Sequence, residues 1–235
     1  DHPTAVLASI EKALAAESRA AHRAALGLAS ALIAEPVARP ASLSAVVDLA
    51  SQLRDDATSL ALVADVLGRN RALALAVIGE ASAAAHGRTI DSLERAVLRL
   101  GLERVHHLAC GLVLDELAGR TPRPTVRAER RTALVVLTLA GALAPSPHRT
   151  DAMLVGLFSG LGHILLETRN AAMPDGARHD IARELHASIA AVHARSWQLP
   201  AAVVTAIGEH VRPTRDNDGA VVRVVRAARI AATLA

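Results

Sequence analysis

Eleven histidines, one cysteine and an arginine-dominated basic set are the groups in this 235-residue chain that can bind metals, attack electrophiles or hold phosphates. His179, His186 and His193 recur at seven-residue intervals. On a helix this keeps them on one stripe but sets successive rings about 10 Å apart along the axis, too far for easy sharing of one metal ion. They read as hydrogen-bonded or partly exposed histidines. His106 and His107 leave a helix about 100° apart and do not converge either. Cys110 lies among Leu108, Ala109, Leu112 and Val113, a setting that favours a buried, inert thiol over a thiolate nucleophile. Ser159 stands between Phe158 and Gly160 with no strand before it, so the strand-turn-helix of a nucleophile elbow is absent.

The arginines form two groups. Arg120, Arg123, Arg127, Arg130 and Arg131 are opposed within their segment by Glu129 alone, and Arg223, Arg226 and Arg229 follow at three-residue spacing, which reads as one face of the last helix. A guanidinium grips phosphate bidentately. Arg123, Arg127, Arg223, Arg226 and Arg229 are therefore the candidate contacts for an anionic ligand such as a cyclic dinucleotide. The plainer reading is a solvated face in a chain that uses Arg in place of Lys, Lys12 being its one lysine. A formal net charge of +3 with 23 acidic residues does not itself indicate a nucleic-acid binder. The alternative function, a regulator that binds a nucleotide or nucleic acid, would therefore rest on these clusters, with nucleic acid the less expected partner. Trp197 and Phe158, the only members of the Phe, Trp and Tyr set, are too few for base-stacking platforms.

The elements that must position these groups are helices. The chain is 51% hydrophobic with almost no aromatics, and an aliphatic core rich in Ala and Leu favours helix over strand. Residues 4–34 read as one Ala-rich helix, with Val6, Ile10, Leu14, Leu26, Ala29 and Ile33 along its stripe, ended by Pro36 and Pro40. Shorter helices follow from Ser42: one to Leu53, one carrying Leu60, Val63 and Leu67 after the cap candidates Asp56 and Thr58, and one after Asn70 with Leu73 and Val77. Asp91-Ser92-Leu93-Glu94 fits a capping box with Asp91 as the cap. Gly101 stops that helix and another spans 102–118. The polar connection Gly119 to Pro124 is the best lobe boundary, and helices are expected at 127–143, 150–168, 178–196, 200–211 and 219–234. The expected fold is all-α and two-lobed: residues 1–35 a leading helix or linker, 36–119 a first lobe, 120–235 a second. No apolar run is long enough for a membrane span and no signal pattern opens the chain, so the protein reads as cytoplasmic, with no membrane partner.

Several segments together resemble the HDOD family, the HD-related output domains of bacterial signalling proteins. They are Ser42-Leu43-Ser44-Ala45-Val46, Arg69-Asn70-Arg71-Ala72-Leu73, Ser82-Ala83-Ala84-Ala85-His86-Gly87, and Ile90-Asp91-Ser92-Leu93-Glu94-Arg95-Ala96-Val97 leading to Leu100-Gly101-Leu102-Glu103-Arg104-Val105. In the second half come Gly156-Leu157-Phe158-Ser159-Gly160-Leu161-Gly162, Trp197-Gln198-Leu199-Pro200 and Ile207-Gly208-Glu209-His210-Val211-Arg212-Pro213. The resemblance covers residues 38–235. It departs from the family where Ser82-Ala83 replaces Asn-Ser, where His86 replaces an aromatic and where Val211 replaces the second His of a pair.

The resemblance implies an HD-like second lobe, and HD phosphohydrolases hold metal with an adjacent His-Asp pair plus further His and Asp residues. Here the pair is Ser159-Gly160, while His186 and His210 fall near the additional histidines, so all four are vestigial positions. A serine hydroxyl is a poor metal ligand and glycine supplies none. His163, one turn past Ser159, is a weak candidate for a displaced ligand, and Asp151, Glu167 and Glu184 have no spacing that singles them out. The expectation is therefore no catalytic residue, no metal and no cofactor, in a regulatory domain that acts through a protein partner. Trp197, Leu199 and Pro200 are expected to hold the second lobe together.

Overall fold

A computed structural model of the protein describes residues 19–20, 23–24, 26–53, 59–84, 90–119, 123–169, 175–212 and 218–234. Residues 4–18, the cap candidates Asp56 and Thr58, His86, Gly87, Arg120 and Pro213 lie outside them, as does the side chain of His179. The described residues contain helices and no strand. After α1 (26–34) come α2 (Leu43–Gln52), α3 (Leu60–Gly68), α4 (Arg71–Ala83), α5 (Leu93–Leu100) and α6 (Leu102–Ala118). The second lobe is built from α7 (Pro124–Leu143), α8 (Arg149–Phe158), α9 (Leu161–Arg169), α10 (Asp175–Ser196), α11 (Ala201–Glu209) and α12 (Ala220–Leu234), with a 3-10 turn at Ser146–His148. None of the described helices is long and apolar enough to cross a membrane.

The helix starts follow their capping chemistry. Ser59 Oγ accepts from the Leu62 amide at 3.1 Å and Asn70 Oδ1 from the Leu73 amide at 3.0 Å, each worth about 1 kcal/mol. At α5 the cap is one residue later than expected. Ser92 Oγ takes the Arg95 amide at 3.2 Å, while the Asp91 carboxylate pairs with the Arg95 guanidinium at 2.8 Å. Helix α7 starts at Pro124, earlier than expected, because a proline in the first turn lacks an amide that would be unpaired there anyway. The helix expected over 150–168 is two helices, broken at Ser159-Gly160 where the Ser159 hydroxyl donates to the Gly156 carbonyl at 2.8 Å.

Both lobes share one aliphatic core, running from Leu43, Leu67 and Leu114 through Leu137 and Leu161 to Val225. The leading helix packs on it through buried Ala29 and Leu32. The segment after α1 ties the lobes together: the Trp197 indole donates to the Val37 carbonyl at 2.9 Å, and the Ser42 amide donates to the Glu116 carboxylate at 3.3 Å. Trp197 is core as expected, 2% exposed and edge-on to Phe158 with ring centroids 5.9 Å apart.

Two glycines permit the tightest helix contacts. A Cβ at Gly156 would stand 3.0 Å from Leu137 Cα, and one at Gly162 only 2.1 Å from the His186 carbonyl oxygen. Backbone approaches backbone at the α7–α8 and α9–α10 contacts for this reason. The second contact brings α10 and its histidines against the Ser159-Gly160 break.

Candidate functional site

At that break, four helices converge on the positions the sequence marks as vestigial. Ser159 is fully buried, and its Oγ accepts a hydrogen bond from Arg229 Nη1 of α12 at 2.8 Å. Desolvation lowers the Arg229 pKa, and the negative charge of Glu129 on α7 opposes the shift. A Cβ at Gly160 would lie 2.9 Å from Glu129 Oε2. The glycine thus leaves room for a carboxylate that arrives from another helix, and a guanidinium sits on the hydroxyl beside it.

Around this pair stand three imidazoles. His186 lies with its ring centroid 4.2 Å from that of His163 and 5.5 Å from that of His210. His186 Nδ1 donates to the Ala182 carbonyl at 2.7 Å and His210 Nδ1 to the Ile207 carbonyl at 2.6 Å. Each Nδ1 faces a carbonyl that only accepts, so the proton resides there and Nε2 carries a bare lone pair. Both Nε2 atoms are buried without a hydrogen-bond partner. Burial is the largest cause lowering both pKa values, that of His210 to about 3, with Arg229 pushing the same way. Both rings are neutral near pH 7.

The remaining donors do not fit the metal that an HD-type pocket would hold. No group of three or more His, Cys, Asp or Glu is placed to hold a metal ion among the described residues. The Arg229 cation lies against Ser159, where the pair of ligands would be, and an Asp at position 160 would drive into Glu129. Arg229 places a positive charge beside Ser159.

The arginine row of α12 is not a shared surface. Arg223 donates to the Asp218 carbonyl, Arg226 pairs with Asp218 and donates to the Glu209 and His210 carbonyls at 2.8 and 3.0 Å, and Arg229 reaches Ser159. Arg226 thereby satisfies carbonyls at the end of α11, where a helix C-terminus favours a cation. At the start of α7, Arg123 and Thr125 both approach Glu167 of α9, at 3.7 and 3.2 Å, while Arg127 lies on the exposed side of the helix. Arg130 is bound to Asp115 of α6. Among the described residues, Arg123, Arg130, Arg226 and Arg229 each engage a group of the protein itself.

The other single residues keep structural places. His193 is buried with Nδ1 on the Ile189 carbonyl at 2.8 Å and its ring 5.8 Å from Trp197. His106 is fully buried, and burial holds its pKa near 4. Cys110 is a buried free thiol whose pKa burial pushes up, away from the thiolate. Glu129 also takes part, and its place in sequence, as the one acid among the arginines around it, does not show this.

Replacing Arg229 with Met would remove the donor to Ser159 Oγ and the buried positive charge that Glu129 favours. The expected loss of stability is about 2–4 kcal/mol, somewhat below that of a fully buried broken pair because Arg229 is not wholly enclosed. Adding Glu129→Gln should recover part of that loss in a double-mutant cycle of urea unfolding. An unchanged midpoint for Arg229→Met would show that the pocket does not need the cation.

The geometry agrees with comparison to known proteins. The HDOD domain model matches residues 39–213. No curated protein matches the chain. Among solved structures, the chain is similar to a candidate metal-dependent phosphohydrolase from Shewanella amazonensis (17% identity over 91% of this chain and 84% of that one, TM-score 0.61). It is also similar to an HDOD domain protein of unknown function from Geobacter sulfurreducens (20% identity, 90% and 78% covered, TM-score 0.62). A candidate signal transduction protein from Marinobacter aquaeolei is 24% identical over 88% of this chain and 55% of its own length, with TM-score 0.58. At these identities the likeness shows the fold alone.

Proposed function

The chain belongs to the HDOD domain family, and from that membership we propose that it is a non-catalytic output domain of bacterial signal transduction, acting in the cytoplasm through a protein partner. The observation that carries the non-catalytic reading is the Arg229 guanidinium on Ser159 Oγ at 2.8 Å. Metal-dependent hydrolysis needs a divalent ion that polarises a phosphoryl oxygen and generates hydroxide. A fixed side-chain cation offers charge but no exchangeable coordination position for a water, and three protein ligands are the usual minimum for a catalytic ion. The description of the Marinobacter structure as a candidate signal transduction protein supports the regulatory reading. The anchoring of Arg226 and Arg229 inside the second lobe weighs against a cyclic dinucleotide on that row.

Elemental analysis of protein expressed in metal-supplemented medium is expected to find no stoichiometric Fe, Mn or Zn, and assays with phosphodiesters and nucleotides no turnover. About one ion per chain that disappears in His186→Ala or His210→Ala would restore an enzyme. The partner claim is checked by crosslinking in the native cell. Recovery of nothing but uncrosslinked chain under all growth conditions would count against it.

A further inference from the structure

His186 stands on α10 and His210 at the end of α11, 5% and 3% exposed, with their rings edge to face and centroids 5.5 Å apart. The Ala182 and Ile207 carbonyls fix the proton of each ring on Nδ1, so each Nε2 presents a lone pair that can only accept. No donor of the described residues reaches either atom. Buried polar atoms in folded proteins are matched in the large majority by protein groups or by ordered water. Two such acceptors on neighbouring rings call for a donor that both can share.

The charges around the rings decide what that donor is. Two lone pairs turn an anion away. A metal ion or an ammonium ion would meet the Arg229 guanidinium, whose positive charge acts on both rings and whose Nη1 is fixed on Ser159 Oγ at 2.8 Å. The occupant must therefore be neutral, small enough for an enclosed place between two rings, and able to donate twice. Water meets all three conditions, and buried water characteristically serves two to four polar partners. His193 supplies the contrast. It makes the same Nδ1 bond, to the Ile189 carbonyl, and its Nε2 is likewise unmatched. Its ring neighbour, however, is Trp197 at 5.8 Å, whose indole proton is taken by the Val37 carbonyl. One acceptor beside a committed donor does not make a bridge.

We propose that the second lobe holds one buried water molecule that donates to His186 Nε2 and His210 Nε2 at once, joining α10 to the end of α11. Arg226 of α12 binds the Glu209 and His210 carbonyls at 2.8 and 3.0 Å, so the link continues into α12, and three helices are tied together without a metal ion. The site deepens the metal-free reading of this pocket and rests on it.

Nuclear magnetic resonance of the whole chain, isotope-labelled at the histidine nitrogens and held near neutral pH, tests it. The Nε2 resonances of His186 and His210 are expected upfield of a bare imine nitrogen, with rotating-frame Overhauser contacts from water to the carbon-bound protons of both rings. His186→Phe and His210→Phe each keep a ring and remove an acceptor. Each should lose one long-lived water, counted by relaxation dispersion of the water oxygen, and should return the surviving ring's Nε2 to the bare position. Should these variants fail to fold, the wild-type resonances still decide the matter. Ammonium chloride in place of potassium chloride is expected to leave both resonances unmoved, and a shift would identify a cationic occupant and overturn the proposal. Bare Nε2 positions on both rings of a metal-free chain would also overturn it, leaving the non-catalytic reading as it stands. A metal ion found on these histidines by elemental analysis of wild type and variants would end both.

Discussion

Gly162→Ala is expected to destabilise the protein by about 3 kcal/mol or more, the upper end of what overpacking a core produces. The added methyl would stand 2.1 Å from the His186 carbonyl oxygen, 2.5 Å from its Cα and 2.6 Å from its carbonyl carbon. All three are backbone atoms of α10, so no rotamer change relieves the clash and the two helices must separate. Separation would also part His186 from His163, whose rings are 4.2 Å apart. Gly141→Ala is the matched control. Its Cβ would meet Met153 Cγ at 2.9 Å and Sδ at 3.1 Å, and an unbranched thioether can turn away at a cost of about 1 kcal/mol. Urea unfolding of the two variants measures the difference. A Gly162→Ala protein within about 1 kcal/mol of the wild type would mean that the α9–α10 contact is looser than its geometry.

The same glycine shows what was legible in the sequence. It belongs to the Gly156 to Gly162 segment, which could be matched by order and spacing without knowledge of which backbone it faces. Helix identities, the helix start after Asn70 and the place of Trp197 were equally legible, because they depend on residues within a few positions or on bulk hydrophobicity. The break at Ser159-Gly160 was not, since the apolar pattern continues through it and only the packing of α8 and α9 reveals two axes.

The α12 arginines do not form one row, for a geometric reason. Three-residue steps turn about 300° each, so Arg223 and Arg229 point about 120° apart and do not share a face. Arg223 is exposed, and Arg229 reaches Ser159 seventy residues back. Glu129 could not have been assigned to that pocket either. Its relevance depends on Gly160 leaving a gap on the far side of a helix contact, and local sequence carries no signal of such a meeting. Of the histidines at seven-residue spacing, His186 and His193 are buried, 5% and 0% exposed.

That burial sets the response to acid, where the second large effect is expected: between pH 7 and pH 5 the protein should lose about 4 kcal/mol of stability through His106 and His210 alone. In the unfolded chain an imidazole takes up its proton near pH 6.5. In the folded protein His106 does so only at about 4, chiefly because it is desolvated and secondarily because of His107. His210 waits until about 3, because burial and then the charges of Arg229, His186 and Arg226 outweigh its hydrogen bond to Ile207. Across the window from about 6.5 down to about 4 the unfolded state therefore binds more protons than the folded one, and stability falls as pH falls, by about 1.4 kcal/mol per pH unit for each ring. Above 6.5 both states are neutral at these sites and the dependence vanishes. His186 and His193 are shifted in the same direction by burial and add to the slope. A total of several kcal/mol is comparable to the whole stability of many domains, so the protein should approach unfolding well before its carboxylates titrate. Urea unfolding at pH 7.5, 6.0 and 5.0 measures the slope, and His210→Gln, which keeps a polar side chain without a titrating one, should remove about half of the two-ring contribution. Stability that holds level from pH 7.5 to 5.0 would mean that these rings find protons, and partners for them, inside the fold.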